Sequence, residues 1–164
     1  MTEAVEPDEV LMGRYARGDA AAFECLYHRH EMRTWRYIER NVGDRATADE
    51  LLQEVWFTVS KDAARFEPKT RFAAWLFAIA YRRVADSAAK NIDPGAAPAA
   101  PRDQATVLTR AIGQLPRDQR EALLLQMEGE LSAEEIASIT NSSLETIRNR
   151  LRLARTKLHE LLSE

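Results

Sequence analysis

A chain of 164 residues with 45% hydrophobic content is one ordinary domain or two small ones, with enough apolar material for a core, which excludes a disordered tail. Its 23 Lys and Arg against 26 Asp and Glu leave a net charge of -3, so nucleic acid is not held by bulk electrostatics and any basic contact must be local. One cysteine, Cys25, excludes an internal disulfide. With no signal-like N-terminus and no apolar run near the roughly 18 residues that span a bilayer, a soluble cytoplasmic protein is expected.

Apolar residues recur at spacings of three and four, and alternating β-branched runs bounded by Asn-Gly or Asp-Gly turns are missing, which predicts an all-α chain. Asp8 is placed to cap a short helix that Gly18 ends. Asp19 caps a long one with Phe23, Leu26, Tyr27, His30, Thr34 and Ile38 along one side. Thr47 with Glu50 three residues later reads as a capping box, followed by Leu51, Leu52, Val55, Trp56 and Val59 on one face. Pro68 breaks the chain before Thr70, which is expected to cap a fourth helix with Phe72, Trp75, Leu76, Ile79 and Ala80 as its buried stripe. Asn91 to Pro101 then holds three of the six prolines, so no helix runs through it. The expected organisation is a first module over residues 1–90, a short Pro/Ala linker over 91–103 and a second module over 104–164.

The second module carries the most informative pattern. After Pro116, a helix holding Ala122 to Leu125 leads to Gly129, and two expected capping boxes follow ten residues apart, Ser132 with Glu135 and Ser142 with Glu145. Asn141, between them, tolerates the left-handed backbone of a tight inter-helix turn. This is a helix-turn-helix. In its last helix Leu144, Ile147, Leu151, Ala154, Leu158 and Leu161 define one apolar stripe, and Arg148, Arg152, Arg155 and His159 lie roughly a quarter turn from it. Such a helix, packed on its own domain with an exposed arginine stripe, can enter a major groove. Arginine then reaches guanine edges or phosphates, and Asn149 pairs with adenine. Arg150 and Lys157 sit nearer the apolar edge, as intramodular salt-bridge partners or phosphate contacts.

Taken together, Leu115-Pro116, Arg120, Leu131 to Ala137, Thr146 to Leu151 and Ala154-Arg155 resemble the −35-binding domain of extracytoplasmic-function (group 4) sigma factors of the bacterial sigma-70 class. The first module is similar to the same family's −10-binding domain. The residues that carry this are Gly18-Asp19 with Phe23 and Leu26-Tyr27, Gly43-Asp44 followed by Ala48 to Trp56, and Phe72 to Ala80 with Asp86. The match covers almost the whole chain in the family's order.

The resemblance implies two helical domains, the second a helix-turn-helix of winged-helix-like sigma region 4 type, in a protein that directs core RNA polymerase to promoters and opens the −10 strand. It implies core-polymerase contact through Asp49, Glu50, Gln53 and Glu54, an acidic face suited to basic side chains on the β′ subunit. It places Phe66 to Arg71, Arg82 and Arg83 near the −10 strand, with Lys69, Arg71, Arg82 and Arg83 on phosphates and a loop pocket for an unstacked base. Phe72 and Trp75 are expected in the core. Ser143, Thr146, Arg148, Asn149, Arg152 and Arg155 are implied −35 contacts. Ser87-Ala88-Ala89-Lys90 stands where the family carries a basic run. The implied partners are polymerase core, promoter DNA and an anti-sigma factor. The elements, about 17 base pairs apart, are separated by roughly 58 Å, whereas the eleven residues Asn91 to Pro101 reach about 34 Å in polyproline geometry.

Other readings are bland. Cys25 and His28 have a metal-like spacing without further ligands, so a packed thiol and a surface imidazole are expected, and no cofactor. Asp49 and Glu50 lack a nucleophile, phosphate loop or metal set, so no enzyme is expected. The alternatives are a sigma-like decoy that binds an anti-sigma factor, and a plain helix-turn-helix repressor, which leaves the acidic helix unexplained.

Overall fold

The helical periods translate into eight α-helices and one 3-10 turn in the computed structural model, which describes residues 5–90 and 107–163; no strand occurs among the described residues. The expected linker, Asn91 to Pro101, lies outside them. In chain order the helices are α1 Asp8–Ala16, α2 Ala20–Val42, α3 Arg45–Lys61, α4 Phe72–Lys90, α5 Val107–Gly113, α6 Arg117–Gly129, α7 Ala133–Thr140 and α8 Leu144–Leu162, with the 3-10 turn Ala63–Arg65 after α3. None of these helices is long and apolar enough to cross a membrane.

Local chemistry sets the boundaries, in several places differently from the sequence expectation. Asp19 caps α2 as expected, accepting from the Ala21 and Ala22 amides at 3.1 and 3.4 Å, and Gly43 closes that helix at φ 74°. Asp8 does not cap α1. The cap position is Pro7, and Asp8 is the first helical residue, its carboxylate drawn to α2 by Arg29 (2.9 Å) and His30 (2.8 Å). The Thr47–Glu50 box is likewise replaced: Asp44 caps α3 by accepting from the Thr47 amide at 3.0 Å, so Thr47 lies inside the first turn. Thr70 stays outside α4, its amide bonded to the Glu67 carbonyl in the preceding turn at 3.0 Å.

In the second module the Ser132–Glu135 capping box forms with both bonds present. The second box does not, because Asn141 adopts the left-handed conformation at φ 53° and the Ser142 amide turns back to the Ala137 carbonyl at 2.9 Å. That closure of α7 occupies Ser142 and moves the cap of α8 to Ser143, which accepts from the Thr146 amide at 3.0 Å.

Burial follows the predicted stripes. Leu26, Thr34 and Ile38 of α2, Leu51, Val55, Trp56 and Val59 of α3, and Phe72, Leu76 and Ala80 of α4 are buried together with Met12 of α1. Ile147, Leu151 and Ala154 bury the inner face of α8 against α6, where Ala122 to Leu125 are all buried. The two modules pack against each other, and one continuous apolar cluster joins them. Phe77 of α4, absent from the expected stripe, is 1% exposed and meets Tyr37 edge-on at 5.6 Å between ring centres. It faces Gly129 at the end of α6, where an added Cβ would sit 3.3 Å from the Phe77 ring and 2.9 Å from Leu131. Gly129 therefore sets how closely α6 approaches α4.

Candidate nucleic-acid interface

The exposed face of α8 is built outward from its cap. Ser143 accepts from the Thr146 amide and donates to the Thr146 hydroxyl at 2.7 Å, which fixes the first turn. The apolar stripe holds the helix on its module, so Arg148, Asn149, Arg152 and Arg155 project to solvent. The Arg148 side chain is 67% exposed, with Glu134 of α7 at 4.0 Å. Arg152 donates to the Asn149 side-chain carbonyl, and Arg155 donates to Gln126 of α6. Arg150, expected as an intramodular partner, lies 3.5 Å from Asp118 of α6 and 3.4 Å from the Ser142 hydroxyl. The face thus presents guanidinium forks and one side-chain amide in a row, donor chemistry suited to base edges and phosphates.

The four residues expected at the −10 strand fall into two groups. Lys69 and Arg71 lie just before α4, and Arg82 and Arg83 lie about 16 Å further along its axis. Lys69 and Arg82 are exposed. Arg71 reaches the second module, with its Nε 3.2 Å from Glu135 and its Nη2 donating to the Glu130 carbonyl at 3.2 Å. Arg83 turns toward α3, donating to the Thr58 hydroxyl at 2.8 Å with Glu54 at 4.0 Å. Phe72 is fully buried, and Trp75, partly buried, packs edge-on against Phe66 at 5.3 Å.

Asp49, Glu50, Gln53 and Glu54 are all exposed along α3 because Leu51 and Val55 turn inward. Asp49 accepts from the Trp35 indole at 2.8 Å, which ties the acidic face to α2. Phe57, one turn beyond Gln53 on the same face, is 68% exposed. Sequence reasoning missed it, although its spacing of four from Gln53 and three from Glu54 is a signal that was available. It also missed Glu128, whose burial no local pattern announces. Cys25 is half-buried and His28 exposed, and no three His, Cys, Asp or Glu side chains are grouped to hold a metal among the described residues.

Comparison with known proteins follows the two modules. Residues 26–91 match the family model Sigma-70 region 2, and residues 105–158 match Sigma-70, region 4. The chain is 36% identical over 167 residues to the RNA polymerase sigma factor CarQ of Myxococcus xanthus, covering 93% of this chain and 96% of that one. It is 31% identical over 160 residues to the ECF RNA polymerase sigma factor RpoE of Cereibacter sphaeroides, covering 88% of each. In fold it is similar to the sigma factor RpoE in its co-crystal structure with the anti-sigma factor NepR from Bartonella quintana. That likeness has a TM-score of 0.69 at 22% identity and covers 86% of this chain and 96% of that one.

Proposed function

Because this chain belongs to the sigma-70 family of RNA polymerase sigma factors, among its extracytoplasmic-function members, we propose a division of labour among three exposed faces. The chain directs core polymerase to specific promoters. Residues 104–164 read the −35 element through α8, with Arg148, Asn149 and Arg152 on base edges, Arg155 on a phosphate, and Ser143 and Thr146 at the helix start. Residues 1–90 hold the −10 strand with Lys69, Arg71 and Arg82 on phosphates, and Arg83, bonded to Thr58, contributes least of the four. Asp49, Glu50, Gln53 and Glu54 dock on a basic surface of the polymerase β′ subunit, and Phe57 adds an apolar anchor among them.

The observation that carries this reading is the separation of charge by face on a chain whose net charge is -3: arginines line the outside of α8 and carboxylates line the outside of α3. An acidic face opposite a basic partner speeds encounter and fixes register, and so selects that partner. The polymerase supplies the general attraction to DNA, and this chain supplies selection. It contributes recognition and no bond chemistry, acts in the cytoplasm where the polymerase works, and is held in reserve by an anti-sigma factor.

Run-off transcription with purified core on promoter templates tests the reading. Promoter-specific transcripts that require this chain are the expected result; a plain repressor gives none, and a decoy gives none while capturing an anti-sigma factor.

A further inference from the structure

Arg155 of α8 is exposed, and its Nη2 donates to the side-chain carbonyl of the half-buried Gln126 on α6. Apolar packing fixes how these two helices meet: Leu115, Leu123 and Ala154 are buried together, with Leu158 against them. Gln126 lies one turn after Leu123, and Arg155 directly follows Ala154, so that packing sets the two polar side chains side by side. A guanidinium has donors and no acceptor. Gln126 must therefore give its oxygen to Arg155 and turn its NH2 group away. Neither side chain makes another hydrogen bond or an ion pair among the described residues. Toward solvent the pair presents donors only, from both helices.

We propose that Gln126 is a positioning residue of the promoter interface: it aims Arg155 and, through its own amide, completes a site for one DNA phosphate that bridges α6 and α8. The inference rests on the DNA-reading assignment of α8 in the preceding section and extends that interface to α6, a helix with no assigned contact. The kind of partner each arginine has supports it. Within the second module Arg150 faces Asp118 at 3.5 Å and Arg117 faces Glu121 at 3.0 Å, and a carboxylate at that range offsets their charge. On the outward face of α8, Arg148 has Glu134 only at 4.0 Å, and Arg152 and Arg155 are held by the side-chain amides of Asn149 and Gln126. A neutral acceptor orients a guanidinium without cancelling its charge, and holding the fork in place beforehand lowers the ordering cost when an anion arrives. Position selects phosphate over base. Arg155 lies seven residues beyond Arg148, about 10 Å along the helix axis. A major groove is about 12 Å wide, so a helix whose first turns face base edges carries Arg155 and Gln126 to the rim, where the backbone runs.

The test uses holoenzyme assembled from core polymerase and the full-length chain, titrated with promoter duplexes in which a neutral methylphosphonate replaces one phosphate at a time across the −35 element. Wild type is expected to lose about tenfold in affinity at one phosphate position. Gln126→Leu, which keeps the charge of Arg155 but removes its support, should bind the unmodified duplex about fivefold more weakly with an unchanged salt slope. Gln126→Glu, of the same shape, offsets that charge and should lower the salt slope by about one. Both variants, like Arg155→Ala, should lose sensitivity to the methylphosphonate at that one position while keeping the wild-type preference among −35 bases. Arg155→Ala combined with Gln126→Leu should bind within about twofold of Arg155→Ala alone, since the two act as a unit. Wild-type affinity of Gln126→Leu overturns the proposal, and so does weaker binding that retains the methylphosphonate sensitivity, which marks a purely structural role. Arg148→Ala and Arg152→Ala on the same duplexes separate the two levels of the argument. If they too leave binding unchanged, the DNA-reading assignment of α8 fails and this site with it; if they weaken binding and the Gln126 variants do not, only the contact from α6 falls.

Discussion

Arg83 of α4 donates to the Thr58 hydroxyl of α3 at 2.8 Å, while its sequence neighbour Arg82 makes no hydrogen bond or ion pair among the described residues. Adjacent positions on a helix point about 100° apart, so one arginine braces the acidic helix and the other faces solvent. Arg83→Ala is therefore expected to lower stability by about 1 kcal/mol, the worth of one such bond, and to weaken core binding through a less well-held α3. Arg82→Ala should leave the melting curve unchanged and lower the salt slope of −10 strand binding by about one. Thermal melting and salt titrations of the two variants, side by side, check the distinction; equal effects on both readouts would contradict it.

The docking face of α3 gives a graded expectation. Asp49 is engaged by the Trp35 indole, and Glu54 is 4.0 Å from Arg83, whereas Phe57 is 68% exposed. Replacing Asp49, Glu50 and Glu54 by Lys should abolish co-purification with core polymerase while circular dichroism stays helical, because these side chains face outward. Phe57→Ser should leave the fold intact and still cost roughly 1–3 kcal/mol of core affinity, as expected of an apolar anchor inside a polar rim. Binding of a folded triple-Lys variant at wild-type strength would remove the face from the assignment.

Where the helices lie was legible from apolar spacing, because the stripe of each one is a local consequence of its 3.6-residue turn. Leu26, Val55, Leu76 and Ile147 were all placed correctly on that ground. Caps were less legible where two good candidates stand close together. Asp44 and Thr47 compete at α3, and Ser142 and Ser143 compete at α8, and the choice turns on backbone bonds that the residue types alone do not decide. Phe77 and Glu128 were not legible at all. Their burial depends on α6 lying against α2 and α4, and no period within either module encodes where the other module sits. The same holds for the site: exposed faces of single helices could be read, while the pairing of Arg71 with Glu135 could not.

Acid stability at the N-terminal helix carries a definite sign. Burial alone raises the Asp8 carboxyl, but hydrogen bonds and charge from His30 and Arg29 outweigh it and hold it below the ordinary value of 3.8. The unfolded chain then takes up this proton before the folded chain does. The contribution is full above the ordinary carboxylate range and is lost as pH falls through the lower folded value. Wild type should accordingly exceed Asp8→Asn in urea stability above the ordinary carboxylate range, and the margin should shrink as pH falls below that range. A margin that widens on acidification would contradict the assigned contact.

At the recognition helix, the position of the cap and the state of its outer residues lead to linked expectations. Ser143 holds the first turn through the Thr146 amide, whereas Ser142 is occupied with the closure of α7. Ser143→Ala should therefore cost about 1 kcal/mol of stability and blur −35 selectivity, since the turn that aims Thr146 and Arg148 loosens. Ser142→Ala keeps that cap and should cost less. Beyond the first turn, Arg152 donates to the Asn149 side chain, so the two form one unit before any base is met. Arg152→Ala should cost roughly 1–3 kcal/mol on the preferred −35 sequence with relaxed choice at one base pair. Asn149→Ala removes the acceptor that orients Arg152, so the double substitution should cost less than the two single losses added together. Binding to promoter variants carrying each single base change provides the readout. Strict additivity, or equal weakening on every sequence, would assign Arg152 to the phosphate backbone and leave base reading to Arg148.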